Sequence, residues 1–381
     1  MEGTKLWLWL TLKRGISSSK ISSLLEKFDS VEDIYNAEEA DFLQIPKISD
    51  KDILALSDKS LKEAEKVFDE CGEKDITILT FDSAFYPLKL KDIYDPPYVL
   101  YVKSQEKLNL NEQVCITIIG TREPTDYGAF VTEKLSKELA IEGFTIVSGM
   151  ARGIDAIANR AALSVSGKTV AVLGCGVDVT YPSENIKLME DICAKGIVLS
   201  EFPPGFPPLK ENFPQRNRIL SALSVATVVT EAPLKSGALI TASIAMEQNK
   251  DVYAVPGNIT SKESEGSNIL IARFGAKMAL DAKTISDEFS VAYQEVLKKK
   301  KRLIKEEKES REELYLYNEK YKSLSETEKI ILKAMSSVPM HIDIIMEKTG
   351  ISADELSGIL IMLEILGMIK SYPGMMFSLS I

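Results

Sequence analysis

A chain of 381 residues with 45% hydrophobic and 27% charged side chains is too long for one compact core, so two or three domains of ordinary soluble composition are expected. Its formal charge of −10 excludes polyanion binding by the surface as a whole, though not by a local basic groove. A single histidine, His341, and four scattered cysteines, Cys71, Cys115, Cys175 and Cys193, exclude most histidine-dependent catalysis, a disulfide framework and a C-x-x-C metal site.

The apolar opening Leu6-Trp7-Leu8-Trp9-Leu10 runs directly into Lys13 and Arg14. It is too short to cross a membrane and has no cleavage signature, which predicts a buried helix turn in a cytoplasmic protein with no membrane partner. Residues 1–75 read as short helices: Ile21, Leu24, Leu25 and Phe28 recur at helical spacing, and Asp29-Ser30 supplies a helix start before Val31, Ile34 and Tyr35. The turn from Lys13 to Lys20 has the outline of a helix-hairpin-helix, but serine stands where the second glycine of such a hairpin is needed. A plain helical module, SAM-like or helix-hairpin-helix-like, is the better reading.

Residues 76–104 form a bridge with strands at Ile76–Leu79 and Tyr98–Val102 around the rigid turn Asp95-Pro96-Pro97. Further strands follow at Val114–Ile119, Phe144–Val147, Thr169–Leu173, Ile197–Leu199, Thr227–Thr230 and Val252–Val255. Several are continuous apolar runs, the pattern of strands covered on both faces. Helical segments such as Tyr127–Ile141 and Leu239–Glu247 lie between them, so the class is α/β, with a Rossmann-like, doubly wound, mostly parallel sheet over residues 76–290. Ligands of such sheets sit at the carboxyl ends of the strands.

Residues 291–322 are dominated by charge, including Lys298-Lys299-Lys300-Lys301-Arg302, and read as a solvated helical linker. In residues 323–381, Ser325-Glu326-Thr327-Glu328 and Ser352-Ala353-Asp354-Glu355 are capping boxes, and Met368-Ile369-Lys370 and Met376–Leu379 flank Pro373-Gly374 as a hairpin. Helices followed by a hairpin predict a winged helix. Its second helix carries Asp354, Glu355 and Glu364 and no basic residue, which favours protein contact over duplex reading.

The turns after the strands carry the chemistry. In Ser148-Gly149-Met150-Ala151-Arg152-Gly153-Ile154-Asp155 the two glycines allow an anion close to the backbone, Arg152 can fork two bonds to phosphate, and Asp155 is placed to cap the helix. Lys210, Phe213, Arg216 and Arg218 alternate cations with an aromatic, as a single strand requires, and Pro207-Pro208 and Pro214 place Phe213 in a loop. Lys235-Ser236-Gly237 suits a second phosphate or an ordinary helix start capped by Ser236. Gly174-x-Gly176 fails as a dinucleotide fingerprint, because Val179 stands at its third position and Thr180-Tyr181-Pro182 delays the helix.

At these loops the sequence resembles the DNA-processing protein A family (DprA, also called Smf). The motifs are Ile119-Gly120-Thr121-Arg122, Ser148–Asp155, Ala171–Asp178, Tyr181-Pro182, Leu199-Ser200-Glu201, Phe213-Pro214-Gln215-Arg216-Asn217-Arg218-Ile219, Ser236–Thr241, Val255-Pro256-Gly257 and Gly266-Ser267-Asn268. The resemblance implies a non-enzymatic single-stranded DNA-binding protein without a cofactor or metal, a homodimer through its Rossmann-like domain. It also implies protection of incoming strands in natural transformation, loading of RecA recombinase and displacement of single-stranded DNA-binding protein. Arg122, Ser148, Gly149, Arg152, Gly153, Lys210, Phe213, Arg216, Asn217, Arg218, Lys235, Ser236 and Gly237 are then the strand-binding residues.

The competing reading is a phosphoribohydrolase of related fold that releases a base from a nucleoside monophosphate. It calls for a glutamate three residues after Thr241, where this chain has Ile244. No general acid or base is then evident.

Overall fold

The computed structural model describes residues 2–106, 109–316, 319–322 and 324–380. Residues 1–301 and 302–381 are separate compact units. Among the described residues of the first, nine strands form one sheet: β1 (Thr77–Thr80), β2 (Val99–Lys103), β3 (Cys115–Ile119), β4 (Thr145–Ser148), β5 (Thr169–Val172), β6 (Ile197–Ser200), β7 (Ala226–Val229), β8 (Asp251–Ala254) and β9 (Lys277–Met278). Their order is β1-β2-β6-β5-β4-β3-β7-β8-β9. The β1–β2 and β2–β6 pairings are antiparallel and all the others are parallel. The short edge strand β9 carries too weak an apolar pattern to be legible in the sequence.

Continuous apolar strands are explained by cover on both faces. Along β3, Ile116 and Ile118 join the cluster that includes Leu135, Leu139 and Ile154, whereas Cys115 and Ile119 face the cluster of Ile219, Leu220 and Leu223. Thr117 is buried between them and donates to the Leu220 carbonyl at 2.7 Å. The amino-terminal helices cover the β2–β6–β5 end of the sheet, with Trp7 stacked on Tyr98 at 5.7 Å between centroids. The apolar opening forms the buried helix Glu2–Leu12, as expected. In the hairpin-like turn, Lys13 pairs with Asp58 at 2.9 Å and Lys20 with Asp52 at 2.8 Å, so both cations are already engaged.

The four cysteines are free and buried. Burial pushes the Cys71 thiol up to about 12 and Cys115 and Cys175 up to about 11. All four are expected to resist a thiol reagent at neutral pH and to react only after denaturation, which reagent counting with and without urea will check.

The second unit is a winged helix. Ile331, Leu332, Ile345, Leu356, Leu360 and Leu363 form its core, and the hairpin pairs Ile369–Tyr372 with Met376–Leu379 in the register Ile369↔Leu379. A short third strand, Met340–His341, joins it. The Ser325 capping box forms, with Ser325 Oγ accepting from the Glu328 amide. The second box does not: Ser352 starts the helix Ala353–Ile365 without a side-chain cap.

Candidate nucleic-acid interface

The parallel strand order turns at β3, which lies between β4 and β7. Loops leaving neighbouring strands in opposite directions open a crevice there. A cavity of about 380 Å³ occupies it, lined from the β3 loop by Gly120, Thr121 and Arg122, from the helix Asn212–Leu223 by Phe213, Arg216 and Asn217, and from the β7 loop by Lys235, Ser236 and Gly237. Seven of the thirteen residues expected to bind a strand therefore converge on one crevice.

Phe213 is not in a loop. Pro214 fits the first turn of the helix Asn212–Leu223, where a missing amide hydrogen costs nothing, so the helix starts earlier than the proline signal implies. The half-buried ring lies with Arg122 over it, 5.9 Å from guanidinium to centroid. Lys210 is exposed and sits outside the cavity lining, three residues ahead of Phe213. Among the described residues, Arg122, Lys210 and Lys235 have no ion-pair partner. The helix Gly237–Glu247 begins at the cavity, capped by Ser236, whose hydroxyl accepts from the Ala238 amide at 3.2 Å. Free amides, a helix dipole and unpaired cations favour an anion there.

Glu231, which belongs to none of the sequence motifs, positions the β3 loop. It is fully buried; its carboxylate accepts from the Thr125 amide at 2.8 Å and hydroxyl at 2.7 Å, and its carbonyl accepts from the Thr121 amide at 2.7 Å. The only hint in the sequence is a carboxylate two residues after the apolar β7.

Arg216 reaches the cavity from below and is 5% exposed. Its Nη1 donates to the Gly149 carbonyl at 3.0 Å and also to the Val172 carbonyl, so it clamps the ends of β4 and β5. A Cβ at Gly149 would collide with this guanidinium, so glycine there makes room for an arginine rather than for a ligand. Arg216 Nε has no partner among the described residues. Burial lowers the Arg216 pKa, opposed by the charge of Asp155. Burial raises the Asp155 pKa, opposed by Arg216. Asp155 accepts from the Gly149 amide at 3.1 Å and so ties back its own loop; Gly153, at φ 70°, is the residue at the helix start.

The remaining residues stand elsewhere. Ser148 is buried, donating to the Ile118 carbonyl at 2.6 Å. Arg152 is exposed but forks onto Glu184, at 2.8 Å and 2.7 Å. Arg218, expected in the strand groove, faces a second cavity on the other side of its helix. There it forks onto Glu201, whose side chain is 9% exposed, at 2.7 Å and 2.6 Å and donates to the Asp95 carbonyl at 2.7 Å. Burial depresses its pKa, yet Glu201 and Asp95 together offset this and the net direction is up. In the sequence, cations alternating with Phe213 read as an extended track, but helical spacing turns Arg218 away from Phe213. Ile244 also lines the second cavity, not the first.

Fold and site together define a Rossmann-like domain with a crevice at its switch point lined by Arg122, Arg216 and Lys235, followed by a winged helix. The chain belongs to the DNA recombination-mediator protein A family, whose model matches residues 77–290, and the DprA winged helix domain matches residues 318–375. It is 34% identical to Protein Smf of Synechocystis over 97% of both chains, and 42% identical to DNA processing protein DprA of Bacillus subtilis over 57% of this chain and 72% of that one. Among solved structures it is similar to DNA processing protein A of Streptococcus pneumoniae, with a TM-score of 0.61 and 33% identity over 75% of this chain and 98% of that one. It is also similar to DNA processing protein A of Helicobacter pylori, with a TM-score of 0.52 and 34% identity over 57% of this chain and 97% of that one; that structure is described for its single-stranded DNA binding mode. No helix among the described residues is long and apolar enough to cross a membrane.

Proposed function

We propose that this chain binds single-stranded DNA without reading its sequence, protects it, and delivers it to RecA recombinase in place of single-stranded DNA-binding protein, as a homodimer and without catalysis. The observation that carries the reading is the switch-point crevice, where Arg122 and Lys235 are cations without an ion-pair partner among the described residues, beside the half-buried ring of Phe213. Cations take phosphates and the ring takes a base, a combination every sequence satisfies. The single-stranded DNA binding mode described for the Helicobacter pylori relative supports the same ligand. The edge strand β9, with exposed Phe274, Met278 and Leu280 around it, supports a second copy as the cover for that edge.

Fluorescence anisotropy of a labelled single strand against its duplex, over a salt series and with nucleoside monophosphates as competitors, tests the first step. Tight, salt-sensitive binding that prefers the single strand is expected; failure at low salt, or release of base from a monophosphate, overturns it. Recombinase loading is read by RecA ATP hydrolysis on a strand already coated with single-stranded DNA-binding protein, which should rise when the chain is added. Sedimentation at micromolar concentration should give twice the chain mass.

One local consequence concerns Glu184. Exposed ion pairs are weak, so Glu184 competes only modestly with a phosphate for Arg152. Glu184→Gln is expected to tighten strand binding roughly twofold to fivefold, while the folding stability read by urea titration changes by no more than about 0.5 kcal/mol.

A further inference from the structure

Tyr181 is an exposed aromatic beside the crevice for which the cation cluster offers no role. Its ring is 5.6 Å from that of Phe213, tilted by 38°, and the residue is 41% exposed. The loop that carries it is tied to the β4 loop: Asn185 Nδ2 donates to the Met150 carbonyl at 3.0 Å, and Arg160 donates to Asn185 Oδ1 at 2.8 Å. Arg152, two residues beyond Met150, is held against this same loop by Glu184. Phe213 packs close over Gly174, where an added Cβ would stand 3.0 Å from its ring. Two adjoining rings thus lie at the crevice, each with an exposed arginine at hand: Arg122 over Phe213, and Arg152 at the Tyr181 loop.

The arrangement repeats one nucleotide's requirements twice. Successive bases of a duplex strand are about 3.4 Å apart, so rings at 5.6 Å suit an unstacked strand with each base laid on its own ring. Phosphate replaces a carboxylate on a guanidinium without loss of fork geometry, so Glu184 marks where the second phosphate goes.

We propose that Tyr181 and Arg152 form a second nucleotide position adjoining that of Phe213 and Arg122, with Tyr181 stacking a base and Arg152 exchanging Glu184 for the neighbouring phosphate. The proposal rests on the single-strand reading of the crevice and adds to it a second base platform.

The test compares the full chain with Tyr181→Ala and Tyr181→Phe on an oligothymidine strand and on an abasic strand of equal length. Loss of one stacked base lowers affinity roughly tenfold, so Tyr181→Ala should bind oligothymidine about tenfold more weakly and Tyr181→Phe should restore most of the affinity. Binding to the abasic strand should be the same for both variants and the unchanged chain, which also reports that they are folded. In the unchanged chain, a 2-aminopurine scan should show altered fluorescence at two neighbouring positions, and in Tyr181→Ala at one. Unchanged oligothymidine affinity in Tyr181→Ala, or an equal loss on the abasic strand, overturns the second position while leaving the crevice standing. Failure of the unchanged chain to bind either strand overturns both readings.

Discussion

Arg218→Ala should destabilise the first unit by about 3–5 kcal/mol, measured by urea denaturation, while the fraction that remains folded binds a strand as before. The Arg218 and Glu201 side chains are 10% and 9% exposed, and the guanidinium also holds the Asp95 and Gln215 carbonyls. Removing it leaves the largely covered Glu201 carboxylate uncompensated, which costs far more than the pair contributes. Replacing both partners together, Arg218→Met with Glu201→Leu, should recover most of the loss. A folded Arg218→Ala protein with normal stability and no strand binding would return this residue to the interface.

The larger effect on binding should come from the triple substitution of Arg122, Lys210 and Lys235 by alanine. None has an ion-pair partner among the described residues, so their removal strands no buried charge. Deleting a cation that neutralises one phosphate lowers the salt slope by ~0.7 for single strands, so the slope of log affinity against log salt should fall by about 2. At moderate salt the affinity should fall roughly a hundredfold, whatever the strand sequence. An unchanged salt slope in the triple variant would place the strand elsewhere on the molecule.

The parallel sheet was legible because several of its strands are short, nearly continuous apolar runs rich in β-branched residues, a pattern that burial on both faces explains. Its crevice was legible for the same reason, since a switch point gathers whatever the turns carry. What the sequence hid was direction. Arg216 and Arg218 are two apart in one helix and therefore cannot share a face. Gly149 looks like ligand space in the sequence and instead houses a guanidinium, because a glycine yields room without saying to whom. Glu231 escaped, and Tyr181 was visible only as part of a motif and not as a neighbour of Phe213, because neither belongs to a periodic pattern; a buried carboxylate and an exposed ring differ from their neighbours only in three dimensions.

The clamp of Arg216 on the Gly149 and Val172 carbonyls has a consequence for what a bound strand does to the protein's own motions. Those carbonyls end β4 and β5, beneath the crevice and out of a ligand's reach. An anion arriving above Arg216 offsets a charge that burial disfavours and holds the clamp shut. Deuterium uptake should then slow at the ends of β4 and β5 when a strand binds, at amides that the strand does not touch.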